Sequence, residues 1–320
     1  MRRIPSMAFM IVLVLGGVGP VTAQAPLREW VSEFLRADVK RMAQSGAVTD
    51  GAPVTIARAR QYDITSRING QTYRIMVATP FMADPRLAYP TLYVLDGNAY
   101  FATATETLTR QSVLKTVAPG IVVGVGYPTD DPQEVNRRRA FDMTPSASRD
   151  PKNAGLNGGG DIFLRVLEEE VKPFVKARYK VDSARQIIWG QSLGGLIILR
   201  SLFRNPTAFS TYILSSPSIW WNNREVLADE EAFSRRAVAG EVHLKLLVTS
   251  AGDEQYRGTD PKLLAADGRQ VDNASELAAR IGALHPRNIT VVRTIFAGEI
   301  HNTVPQASLS RALRFALPLN

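Results

Sequence analysis

The stretch RQIIWGQSLGGLIILRSL, Arg185 to Leu202, sets an apolar run, a glycine-rich turn around one serine and a second apolar run end to end. The first run is short and apolar throughout, as a strand buried on both faces requires, and the second reads as a helix that starts at Leu193. Similar runs stand at 91–95, 120–126, 210–216, 243–250 and 288–296, and between runs the segments 161–179, 193–203, 275–283 and 305–316 read as helices. Strands of this kind alternating with helices predict an α/β architecture, a mostly parallel central sheet with helices on both faces. Ahead of it, YDITSRI and QTYRIMVATP flank Asn69-Gly70, which predicts an N-terminal antiparallel ribbon closed by a two-residue turn.

Within the opening stretch, GQSLG fits G-x-S-x-G, the pattern of a sharp strand-to-helix turn that holds a serine hydroxyl above the sheet edge. The pattern alone is common; its seat between a buried strand and a helix gives it meaning. Gly190 and Gly194 would keep side chains away from the strained backbone of Ser192, and Gly195 would let helix and strand pack closely. A serine hydroxyl needs a base to take its proton and an acid to orient that base. Of the three histidines, His243 opens a strand and His285 precedes Pro286 at a helix end, whereas His301 lies in a loop beyond the last strand, where the base of such a site belongs. The acid should follow the strand after the serine unit, in AGDEQ; Glu254 is preferred, with Asp253 as the alternative and a Ser192–His301 dyad as the reading without either. An oxyanion hole would take one amide from Leu193 and another from the turn after 91–95, from Gly97 or Asn98.

The remaining sequence sets limits. With 45% hydrophobic and 21% charged residues over 320 positions, the chain is ordinary globular material. Arg2 and Arg3, an apolar stretch to Val18 and the small residues Val21 and Ala23 predict a signal peptide over 1–23, hence export to the periplasm or beyond and no stable membrane anchor. An amphipathic helix and linker would occupy 24–50, and a single domain 51–320. After cleavage 36 basic residues face 30 acidic ones, a scattered excess without the aromatic interleaving of a nucleic-acid site. The absence of cysteine excludes disulfides, thiolate metal sites and a thiol nucleophile. GLNGGGD lacks the lysine of a phosphate loop and no HExxH is present, so no metal and no cofactor are expected. The long connection 128–160 is expected to be a loop that lines the site.

Taken with YVLDGNAYF (93–101), RRRAFDMTP (137–145), the segment 158–182, GQSLGGL (190–196), LSSPSIWW (214–221) and GEIHN (298–302), the chain resembles the putative-esterase (esterase D-like) family of α/β-hydrolases, in its siderophore-esterase-like branch. The resemblance spans about residues 70–316. It implies the α/β-hydrolase fold and hydrolysis of a small-molecule ester through an acyl-serine, with Ser192 as nucleophile, His301 as base and no cofactor. It also suggests substrate contacts from Arg139, unless that arginine instead pairs with Asp142, and from Trp220 and Trp221, unless they serve the core. Gln191 departs from the pattern, since relatives often carry histidine there, and is expected to tune the pocket floor. Catecholate trilactone siderophores, aryl esters and feruloyl esters are the candidate substrates. Acyl transfer on the same fold is the neighbouring reaction, and a binding protein that has lost its chemistry is the reading from another class.

Overall fold

The computed structural model describes Arg36, Gly51 and residues 53–153, 155–255, 269–284 and 288–319. The expected signal peptide, nearly all of the expected N-terminal helix and His285 lie outside the described residues. The chain divides into two units, Met1–Thr55 and Ile56–Asn320. In the first, the described residues Arg36, Gly51 and 53–55 are exposed.

The second unit is built on an eight-stranded sheet of β1 (Ala59–Thr65), β2 (Thr72–Ala78), β3 (Tyr89–Leu95), β4 (Ile121–Gly126), β5 (Val181–Gln191), β6 (Thr211–Ser215), β7 (Leu244–Ala251) and β8 (Ile289–Phe296). In space they run β1-β2-β4-β3-β5-β6-β7-β8, with β2 antiparallel to both neighbours and β3 to β8 all parallel. The mostly parallel sheet and the N-terminal ribbon are therefore as the sequence predicts. The ribbon's turn is not: Thr65 pairs with Thr72, and Arg67 to Gly70 form a four-residue loop in which the Gly70 amide donates to Ser66 O at 2.9 Å. Asn69 is drawn out of a tight turn because its side chain is engaged, donating to the Tyr73 hydroxyl and accepting from the Gln71 amide.

Successive side chains of the central strands alternate between two cores. Tyr93, Ile188, Tyr212, Leu214 and Leu246 face one, while Leu92, Val94, Trp189, Ile213 and Leu247 face the other, as the period of two demands. The first core is covered by α3, which runs from Gly160 to Arg178, by α4 (Leu193–Arg204), by α5 (Glu230–Val238) and by α6 (Gln270–Ala283). The second is covered by α1 (Gly97–Val113) and α7 (Val304–Ala316). Helix α3 consists of Gly160–Val166 and Lys172–Arg178 joined by a π turn, Leu167–Val171. The π turn lies just before Pro173, whose ring cannot continue an ordinary helical hydrogen-bond ladder.

Three helices are not among those expected from the sequence: α1, α2 (Pro132–Asp142) and the short α5 (Glu230–Val238). Helix α1 is rich in threonine, a weak helix former, and its apolar face is carried by few residues. Helix α2 occupies part of the expected 128–160 loop; it is mostly polar, but Asp131 caps it by accepting from the Gln133 amide, with Pro132 next in sequence.

The order of strands matters for function. After β3 the chain moves to β4 on one side and then to β5 on the other, so the connections leaving β3 and β5 diverge. A crevice opens at such a point, outside the carboxyl ends of the strands. Both expected oxyanion segments, after β3 and after β5, lie at its mouth.

Candidate active site

Ser192 follows β5 and is the N-cap of α4, with φ 60° and ψ −115°, a conformation that L-residues avoid. Backbone bonds hold it there: its amide donates to Ser215 O at 2.9 Å, and its carbonyl accepts from the amides of Leu196 and Ser218. A Cβ on Gly190 would lie 2.6 Å from the carbonyl carbon of Gly194, so that glycine is sterically required. Gly194 is not, since its nearest foreign atom would be Asp96 Oδ2 at 3.5 Å. The second close approach is instead at Gly195, where a Cβ would meet Pro217 Cα at 3.0 Å.

The Ser192 hydroxyl is 3.1 Å from that of Ser218, a buried residue that the sequence reading did not single out. Two more hydroxyls of the same turn reach the site. Ser215 Oγ donates to Gln191 Oε1 at 2.5 Å, and Ser216 Oγ donates to Glu254 Oε1 at 2.6 Å. A run of serines at the end of a buried strand was the available signal.

His301 stands in the turn between β8 and α7, and its Nδ1 is 2.7 Å from Glu254 Oε2. The imidazole is 40% exposed and the carboxylate 2%. Glu254 Oε1 also accepts from the Ala251 amide, so the buried carboxylate is fully hydrogen-bonded. Behind it Arg293 adds positive charge, although burial draws that guanidinium down to about 10 against the pull of Glu254. A neutral imidazole with Nδ1 facing a carboxylate carries its proton on Nδ1 and leaves the Nε2 lone pair free. Asp253 does not join this group: it is exposed, because its amide donates to Glu299 O and turns the side chain outward.

The first helical residues supply amides without partners four residues back: Leu193 at the start of α4, and Gly97 and Asn98 at the start of α1. Gly97 packs so tightly on β4 that a Cβ would come within 2.8 Å of Val125 N. The Asn98 side chain is committed elsewhere, to Tyr127 and Thr129, so its amide is the group left for the site.

Arg139 reaches the same cleft from α2, but as half of an ion pair. Its Nε donates to Asp96 Oδ1 at 2.7 Å and its Nη2 to the carbonyl of Gln191 at 3.1 Å. Burial opposes its charge, but Asp96 outweighs burial and holds the guanidinium above its usual value. The alternative pairing with Asp142 is thereby corrected. Asp142 is itself buried, near Tyr73 and Tyr127, whose rings lie 5.4 and 4.6 Å from the Arg138 guanidinium. Burial pushes its carboxyl up to about 6, with Arg138 opposing. Since this lies above the unfolded value, the stability linked to Asp142 is full below about pH 4 and is lost as pH rises through 6. Asp142→Asn is therefore expected to exceed the wild type in stability by up to about 3 kcal/mol at pH 8 and to match it near pH 4, as denaturant midpoints would read.

Together Asp96, Asn98, Tyr100, Arg139, Gln191, Ser192 and His301 line a cleft of about 350 Å³. Trp220 and Trp221 are not among its lining residues; their rings lie 6.1 Å apart and Trp221 packs against the first core. A roomier depression of about 830 Å³ between α1 and α7 holds none of these groups. Among the described residues no cluster of three or more His, Asp or Glu could hold a metal ion, and no helix is long and apolar enough to cross a membrane.

A serine at a forced elbow, a histidine tied to a buried carboxylate and free helix N-terminal amides around one cleft can perform acyl transfer from an ester or amide. Comparison with known proteins points the same way. The family model described as "Putative esterase" matches residues 66–294. A ferri-bacillibactin esterase of Bacillus subtilis is 35% identical over 262 residues, covering 79% of this chain and 88% of that protein. A siderophore triacetylfusarinine C esterase of Aspergillus fumigatus is also 35% identical, over 82% of this chain and 94% of its own length. Among solved structures, the BES protein from Bacillus cereus superposes with a TM-score of 0.75 at 33% identity, over 85% of this chain and 100% of that one.

Proposed function

We propose, from the premise that this chain belongs to the putative-esterase family and has the α/β-hydrolase fold, that it is an exported serine esterase whose substrates are siderophore esters. The observation that carries the reading is the contact between His301 Nδ1 and Glu254 at 2.7 Å, in a cleft that also holds Ser192. In this reading the Ser192 hydroxyl turns from Ser218 to the imidazole, and its oxygen attacks the ester carbon as its proton passes to His301 Nε2. The oxyanion that forms is met by the Leu193 amide and by that of Gly97 or Asn98. The C–O bond breaks, His301 returns the proton to the departing alcohol, and an acyl-serine is left. Water then repeats the sequence, giving its proton to His301, and the acid is released. Export rests on the sequence of residues 1–23, with 24–50 as helix and linker and 51–320 as the catalytic domain.

The substrate class is supported by the two curated relatives, both named for siderophore esters. Purified residues 24–320 incubated with an iron-loaded or iron-free trilactone siderophore are expected to open its esters one at a time, as mass spectrometry would show, and a Ser192→Ala control is expected not to. Turnover of a short p-nitrophenyl ester beside intact siderophores would leave the esterase and remove the siderophore.

A further inference from the structure

The proposed nucleophile and base come from elements that are not neighbours in the sheet. Ser192 follows β5, His301 follows β8, and two strands lie between them. The bond to Glu254, in the turn after β7, fixes the imidazole ring to its own side of the site but not directly to the elbow. A second tie runs directly from the elbow to the histidine's backbone. Gln191, the last residue of β5, donates from Nε2 to the carbonyl of His301 at 3.1 Å. Its Oε1 accepts from Ser215 Oγ on β6, and its own carbonyl accepts from Arg139, itself held by Asp96.

Gln191 is thus buried, and both ends of its amide and its backbone carbonyl are occupied. We propose that Gln191 is a positioning residue, a strut that sets the distance between Ser192 and His301. It acts through the histidine's backbone, and both ends of its side-chain amide are already bonded within the protein, so its part is in the site's geometry and not in the bond-making steps. An amide suits the task because it accepts from Ser215 at one end and donates to His301 at the other, which no carboxylate or apolar side chain of that length does. The same network gives Arg139 a role: paired with Asp96 and bonded to the Gln191 carbonyl, it anchors the strut's base and is not a free cation awaiting an anion.

The proposal rests on the serine mechanism above, and its test separates the two. Wild type, Gln191→Leu and Gln191→Glu are titrated with a fluorophosphonate to count competent sites, and kcat and KM for a p-nitrophenyl ester are measured per titrated site at pH 8. Gln191→Leu removes both side-chain bonds. Gln191→Glu keeps the acceptor for Ser215 and, ionised, replaces the donor to His301 with a negatively charged oxygen facing that carbonyl, so it breaks the strut without removing the side chain and decides the matter if the leucine variant does not fold. Both variants are expected to show kcat lowered about tenfold with KM within about twofold, and phosphonylation of Ser192 slowed in proportion. A variant with fewer competent sites but wild-type kcat per site would reduce Gln191 to a packing residue and overturn the proposal. A folded wild type that takes up no phosphonate would instead overturn the serine mechanism itself.

Discussion

Ser192→Ala is expected to lower ester turnover by at least about 10⁴-fold while leaving the fold intact. The hydroxyl is the one group at the elbow whose oxygen can become the acyl ester, and no cysteine stands anywhere in the chain to replace it. Stability should change little. The elbow is held by backbone bonds from Ser192 to Ser215, Leu196 and Ser218, all of which alanine keeps, and alanine meets the same backbone strain as serine. The lost partner is the Ser218 hydroxyl, a neutral bond worth about 1 kcal/mol. Intact-mass measurement after fluorophosphonate treatment should find one adduct on the wild type and none on the variant. Labelling of a properly folded variant, or residual turnover near wild type, would move the nucleophile elsewhere.

The acid pair offers the second large effect. Glu254→Gln should reduce kcat by roughly 10³- to 10⁴-fold, whereas Asp253→Asn should stay within about twofold. Glu254 is buried against Nδ1 of His301, and its charge favours the imidazolium that forms during attack. A glutamine amide can still accept from Ser216 and Ala251 through its oxygen. That leaves its NH₂ facing Nδ1, which favours the tautomer with the proton on the wrong nitrogen for a base. Asp253 is exposed and points away. Steady-state rates per titrated site for the two variants answer the question directly. A Glu254→Gln enzyme slowed less than about tenfold would mean that serine and histidine operate as a dyad.

What could be read from the sequence was local. The buried strands appear as apolar runs because both faces of a central strand meet a core, and the elbow is visible because five consecutive residues form it. That His301 lies beyond the last strand is a matter of chain order. The choice between Glu254 and Asp253 is not, because it depends on the bonds of Gly252 to Phe296 and Asp253 to Glu299 that pull the turn after β7 against the β8 end. The alternative pairing of Arg139 with Asp142 failed for the same reason. Its partner Asp96 is 43 residues away, while Asp142 is three, and one helical turn is what a sequence shows most readily. Helix α2 carries its signal in the Asp-Pro start and not in apolar periodicity, which its mostly polar sequence lacks.

The size of the cleft has a kinetic meaning. At about 350 Å³ it sits near the lower end of the ~300–1,000 Å³ usual for small-molecule pockets, room for the ester being cut and its immediate substituents. A macrocycle bearing several identical esters would present them singly, its bulk outside the protein. After each deacylation the opened product would keep few contacts to retain it, so it would depart into the bulk and compete there with uncut rings. Such an enzyme works distributively, and the mixture of partly opened intermediates around it is set by concentration rather than by its own grip.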